Sequence, residues 1–124
     1  KTGPYIQYAI ARINSILRKA GEIKPGKIVI TNPEERDLAL KLMQLNNIVL
    51  RTHEAKEPSI ISDYAYTLAQ AFSSFYNTSP IMSAATPEQA ASRLQIAKIV
   101  RDVLTLLLNL LGIEAPEVML KKAE

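Results

Sequence analysis

The sequence contains no cysteine, one histidine and four glycines among its 124 residues. Without cysteine, the chain cannot form a disulfide framework, a thiolate zinc site or a cysteine nucleophile. A single histidine excludes a pair of histidines at metal-ligand spacing. Four glycines that stand far apart at turns and helix ends exclude a glycine-rich phosphate loop. We therefore expect neither a bound metal nor a cofactor in this chain.

Long apolar runs are also missing. No stretch approaches the ~20 consecutive apolar residues that cross a bilayer, and the N-terminus lacks the charged-then-apolar order of a signal peptide. We therefore expect no membrane contact and a cytoplasmic location. The chain begins at Lys1 without an initiator methionine, so we also expect it to be a piece of a longer protein.

The composition is that of one folded domain. A hydrophobic content of 48% is enough for a single continuous core, so we predict one domain over residues 1–124. The formal charge of +3 and the pI near 9.2 make the chain mildly basic. This charge is compatible with a polyanionic partner but does not require one.

Helix-start and helix-stop signals predict an all-α bundle of about five helices with almost no strand. The first helix runs from Gly3-Pro4 to Ala20, before a glycine. The sequences Asn32-Pro33-Glu34-Glu35 and Thr86-Pro87-Glu88-Gln89 each combine a capping side chain, a first-turn proline and a residue that can reach back. A helix is therefore expected to begin at each of them, and the second of these helices should run to Gly112.

The other predicted elements have weaker signals. The helix that begins at Asn32 has an apolar stripe of Leu38, Leu42 and Leu45. A short helix through residues 48–52 ends near Glu57-Pro58, and a central helix runs over residues 59–77. Residues 21–31 carry a short Ile28-Val29-Ile30 run, which predicts a structured, extended loop against the helices.

No arrangement of side chains indicates catalysis. His53 has no serine and carboxylate arranged around it, so a solvated or capping role is expected. Glu34, Glu35 and Asp37 crowd one helix start, where carboxylates complement the helix dipole without acid or base chemistry. A freestanding enzyme using carboxylates or lysines alone is therefore unsupported.

One helix face does indicate function. At 3.6 residues per turn, Tyr5, Tyr8, Arg12 and Lys19 point roughly 140° away from the apolar stripe of the first helix. That stripe consists of Ile6, Ile10, Ile13 and Leu17. Tyrosines one turn before an arginine are suited to stacking unpaired bases beside a phosphate backbone. The alternative is that another helix covers this face and Arg12 pairs with a carboxylate, and periodicity alone does not separate the two interpretations.

Basic residues continue beyond this face. Arg18, Lys19, Lys24 and Lys27 are opposed only by Glu22, and Lys121-Lys122 lie in the tail. A basic stripe favours a nucleic-acid interpretation, although it also occurs on ordinary soluble surfaces.

Four ordered blocks of the sequence resemble the C-terminal, DALR-type anticodon-binding domain of arginyl-tRNA synthetases. The first is Gly3-Pro4-Tyr5-Ile6-Gln7-Tyr8-Ala9 with Ala11-Arg12 and Ser15-Ile16-Leu17-Arg18-Lys19. The others are Glu35-Arg36-Asp37-Leu38-Ala39-Leu40-Lys41-Leu42, Ala69-Gln70-Ala71-Phe72-Ser73-Ser74-Phe75-Tyr76-Asn77, and Leu111-Gly112-Ile113-Glu114-Ala115-Pro116-Glu117 to Met119.

The resemblance implies a helical bundle that docks on the anticodon stem and loop of arginine tRNA and reads a cytosine in the middle of the anticodon. It further implies that Tyr5, Tyr8, Arg12 and Met119 contact anticodon bases. From the basic stripe, we expect Arg18 and Lys19 to contact the RNA backbone. The family's catalytic domain uses ATP to charge the tRNA with arginine, but its nucleotide-binding signatures are absent here. This chain is therefore expected to be non-catalytic and to have the catalytic domain of the same parent chain as its partner.

Three departures from the family pattern limit how far the family's residue roles apply to this chain. Ile10 replaces a frequent histidine, Thr78-Ser79-Pro80 replaces alanine-cysteine-proline, and Leu120 to Glu124 follow the methionine at which many relatives end.

The chief alternative function is a protein-interaction bundle that uses Tyr5, Tyr8 and Arg12, since tyrosine and arginine are also enriched at protein hot spots.

Overall fold

The computed structural model describes residues 2–112, which form five α-helices and contain no strand. The helices are α1 (Thr2–Ala20), α2 (Pro33–Leu42), α3 (Leu45–Ala55), α4 (Pro58–Thr78) and α5 (Pro87–Leu110). This confirms the predicted all-α class and the number of helices. None of these helices is both long enough and apolar enough to span a bilayer.

The predicted helix starts are correct where a capping side chain marks them. Asn32 Oδ1 accepts a hydrogen bond from the Glu35 amide at 2.8 Å, and Thr86 Oγ1 accepts one from the Gln89 amide at 3.1 Å. The Gln89 side chain reaches back to accept from the Ala85 amide at 2.8 Å. Each cap satisfies backbone donors that the first helical turn leaves free, and this fixes where α2 and α5 begin.

The boundary between α2 and α3 differs from the prediction. Leu45 is the first residue of α3, not the end of the α2 stripe, so α3 begins before Ile48, while its end at Ala55 lies close to the predicted end near Glu57-Pro58. Gln44 precedes α3 without a side-chain capping bond, so no local signal marks the start. The helix ends at Lys56, which adopts the left-handed conformation with φ 56°.

The core lies where α4 meets the other helices. α4 contacts α1, α2, α3 and α5, and α1 also packs along α5. The isoleucines of the predicted α1 stripe are buried, as are Phe72 and Phe75 of α4. Ile10, where relatives often carry histidine, is 1% exposed and so serves packing. The long side of α1 opposite this stripe is consequently left for the surface.

The predicted extended segment covers residues 23–31, after a turn at residues 21–22. It lies along α5, where the Gly26 amide donates to the Ala91 carbonyl at 3.1 Å and the Val29 amide donates to Ser92 Oγ at 2.9 Å. The side chains of Ile28, Val29 and Ile30 remain exposed. Backbone hydrogen bonds hold this part of the segment to α5, while Ile23 at its start packs against the core.

Glu35 lies in the first turn of α2 and reaches back to accept from the Thr31 amide at 2.5 Å, as the capping pattern predicts. The sequence did not show that its side chain is also fully buried. Its carboxylate accepts from the Thr31 hydroxyl at 2.8 Å and from Arg93 Nε at 3.3 Å, and Arg93 also donates to the Pro80 carbonyl at 3.0 Å. The pair links the extended segment, α2, the α4–α5 connection and α5.

Candidate nucleic-acid interface

The first three turns of α1 present Tyr5, Tyr8 and Arg12 on one side of the bundle. The apolar stripe of α1 is buried against α4 and α5, and Tyr5 beside it is itself partly buried and packs against this core. Tyr8 is 59% exposed, whereas Tyr5 and Arg12 are half-buried. The structure thus brings together three of the residues that the sequence singled out.

A small hollow of about 40 Å³ lies between α1 and α4 at this surface. Its lining residues come from both helices, and they are Tyr5, Tyr8, Ala9, Arg12, Phe72 and Ser73. The hollow is too small for a nucleobase to enter completely.

Arg12 is fixed by α4. Its guanidinium carbon lies 5.7 Å from the centre of the Tyr76 ring, and one terminal nitrogen donates to Ser73 Oγ at 3.4 Å. The three ion pairs among the described residues do not involve Arg12. The carboxylate partner that the covered-face interpretation expects is therefore not found there, and the positive charge of Arg12 remains available to an anionic ligand.

Tyr5 is partly covered, as the same interpretation expects. Its ring centre lies 4.9 Å from that of Tyr66 on α4, with the planes inclined by 48°. Tyr66 is 40% exposed, and the sequence analysis did not identify it. The available signal was its position off the apolar stripe of α4, two residues after the buried Tyr64. α4 thus covers one side of Tyr5 and leaves Tyr8 open.

The two basic residues at the end of α1 diverge. Consecutive residues of a helix point about 100° apart, so Lys19 shares the direction of Tyr8 and Arg12 while Arg18 does not. Arg18 lines a separate cleft of about 330 Å³ between α1 and α5, together with Asn14, Leu17 and Arg101. Both side chains are exposed at their tips, but only Lys19 continues the tyrosine face.

The remaining candidate residues do not add to this surface. Met119, Lys121 and Lys122 lie outside the described residues. His53 is exposed on α3, which does not contribute to the hollow. Within residues 2–112, no group of three or more histidine, cysteine, aspartate or glutamate side chains could hold a metal ion.

The chain that carries this surface is similar to proteins of one family. The family model described as the DALR anticodon binding domain matches residues 6–119. Arginine–tRNA ligases of Hyphomonas neptunium and Maricaulis maris are 47% and 43% identical to the chain over 121 residues, which is 96% of the chain. The chain spans about a fifth of the length of these relatives, 20% and 21% respectively.

A solved structure gives the same result. The chain superposes on Thermus thermophilus arginyl-tRNA synthetase with a TM-score of 0.84 and 38% identity, over 94% of this chain and 21% of that one. The five-helix arrangement is therefore shared with a synthetase of known structure.

Proposed function

Because the chain belongs to the DALR anticodon-binding domain family, we propose that it binds the anticodon loop of arginine tRNA as one domain of an arginine–tRNA ligase. The observation that carries the proposal is the open Tyr8 ring beside an arginine that α4 holds in place. An exposed, supported aromatic ring stacks an unpaired base, and an adjacent guanidinium attracts the phosphate that follows it.

Each side chain has a distinct role in this proposal. Tyr8 stacks a base, Tyr5 forms the wall of the hollow next to it, and Arg12 makes a charged hydrogen bond to the RNA. Lys19 lies about 16 Å beyond Tyr8 along α1, since eleven residues separate them at 1.5 Å each. It contacts the backbone of the same RNA strand. Arg18 is a peripheral backbone contact, and Met119 supplies a further anticodon contact from the C-terminal segment.

The chemistry belongs to the rest of the proposed parent enzyme. We propose that this domain lies at its C-terminal end, where it positions arginine tRNA for a catalytic domain of the same chain in the cytoplasm. That catalytic domain would use ATP to join arginine to the tRNA. The 124-residue chain itself supplies recognition and no bond-making step.

The test is a filter-binding titration of the chain with the anticodon stem-loop of arginine tRNA. A stacked base contributes roughly 1 to 3 kcal/mol, so Tyr8→Ala should weaken binding about tenfold, while Tyr8→Phe, which keeps the ring, should stay within about twofold. Equal affinity for the stem-loop and for double-stranded DNA would count against the proposal. If Tyr8→Ala keeps RNA binding but loses a protein partner, the interaction-bundle alternative is the better description.

A further inference from the structure

Tyr66 occupies an unusual place beside the proposed binding surface. It is exposed on the outer face of α4, yet its ring packs against Tyr5 rather than standing free in water. Its hydroxyl accepts a hydrogen bond from Gln70 Nε2 at 3.3 Å, one turn along the same helix. The ring is thus held from both sides, by Tyr5 and by its own helix.

Tyr5 needs such support because of where it lies. It is the fourth residue of α1, within the first turn, where backbone amides lack helical acceptors and helix ends open most readily. Tyr66 lies in the middle of α4, next to the fully buried Ala65 and two residues before the fully buried Leu68. The Tyr66 ring therefore packs against the Tyr5 ring, whose backbone is the less constrained of the two.

We propose that Tyr66 is a positioning residue for nucleotide binding, which holds the Tyr5 ring in the orientation that the bound base requires. This inference rests on the proposed function and deepens it. Ordering a ring before the ligand arrives removes that entropic cost from binding. The ring of Tyr66 provides the contact, and its hydroxyl only maintains the bond to Gln70.

A double-mutant cycle tests this positioning role with the same stem-loop titration. Tyr5→Ala should weaken binding about tenfold and Tyr66→Ala about fivefold. The double variant should bind about tenfold more weakly than wild type, not fiftyfold, because without the Tyr5 ring Tyr66 has nothing to position. Tyr66→Phe should bind within twofold of wild type.

Controls separate positioning from folding and from direct contact. Thr67→Ala changes the next residue on the exposed side of α4 and should bind as wild type. Should Tyr66→Ala melt near the titration temperature, Tyr66→Leu takes its place, since it keeps apolar bulk without a flat ring. Fully multiplicative losses in the double variant, or wild-type binding by Tyr66→Ala and Tyr66→Leu, would overturn the inference.

The proposed function has its own independent outcome. If Tyr8→Ala weakens stem-loop binding but the cycle shows no coupling, only the role of Tyr66 fails. If wild-type protein does not prefer the stem-loop to double-stranded DNA, the proposed function fails first, and the positioning role fails with it.

Discussion

Glu35 and Arg93 are two oppositely charged side chains that are buried together. The Glu35 side chain has no exposed surface and that of Arg93 is 9% exposed. Each makes a hydrogen bond beyond the pair itself, Glu35 with the Thr31 hydroxyl and Arg93 with the Pro80 carbonyl. Removing one partner from such a pair leaves an uncompensated buried charge, which is far more costly than losing an exposed ion pair.

Glu35→Gln should therefore lower the free energy of unfolding by about 3 kcal/mol, since the amide leaves Arg93 without a counter-charge. Asp37→Asn is the matched control on the same helix. It breaks the exposed pair with Lys41, where the Asp37 side chain is 57% exposed, and should cost less than about 0.5 kcal/mol. Urea unfolding curves measure both, and equal midpoints for the two variants would contradict the assigned role of Glu35.

Ionisation of Tyr64 lowers the free energy of unfolding at alkaline pH. Burial raises the pKa of its hydroxyl from 10.0 to about 12, and that hydroxyl donates to the Lys41 carbonyl at 2.6 Å. The folded state thus holds the proton more tightly than the unfolded state. The associated stability is complete below pH 10 and is lost as pH rises from about 10 to 12.

Between pH 8 and pH 11, wild type should consequently lose about 1 kcal/mol more unfolding free energy than Tyr64→Phe, which has no proton to lose. The comparison cancels the titration of the other tyrosines and the lysines, which both proteins share. Parallel loss of stability in the two proteins would show that Tyr64 ionises as readily when folded as when unfolded.

At the scale of helices, the sequence predicts a helix boundary best where neighbouring residues form a side-chain cap. Asn32 and Thr86 precede prolines and form their capping bonds within three residues, so α2 and α5 begin as predicted. The start of α3 has no such signal, because Gln44 makes no side-chain cap and the chain is held there by packing. Leu45 was therefore assigned to the wrong helix.

The extended segment illustrates a contact that no local pattern reveals. Gly26 approaches α5 so closely that an added Cβ would lie 2.9 Å from the Cβ of Ala91. Gly26→Ala should therefore destabilise the protein by about 1 to 2 kcal/mol through overpacking. In an Ala91→Gly background, which restores the space, the same substitution should cost well under half of that amount. Thermal unfolding of the four proteins measures the difference, and equal costs in the two backgrounds would exclude a steric clash.

For the whole molecule, the proposed binding surface lies where two helices, α1 and α4, meet. The helical period placed Tyr5, Tyr8 and Arg12 on one face of α1 without any structure. It could not show that α4 would supply Ser73 and Tyr76 beneath Arg12 and Tyr66 beside Tyr5, since those residues are more than 60 positions away in the chain. α4 covers Tyr5 in part, as the covered-face interpretation expects, and leaves Tyr8 exposed, while the base-stacking role of this face stays a prediction.

The same geometry predicts which cations meet the RNA. Lys19 continues the face of Tyr8 and Arg12, whereas Arg18 turns toward the cleft with Arg101. Each phosphate neutralised on a single strand contributes about −0.7 to the slope of log affinity against log salt. Lys19→Ala should therefore make the slope shallower by about 0.7 and weaken binding at low salt, while Arg18→Ala, which removes only a peripheral contact, should change the slope by less than half as much. Stem-loop titrations from about 50 to 200 mM salt measure both slopes. A larger change for Arg18→Ala than for Lys19→Ala would move the path of the RNA to the α1–α5 side of the bundle.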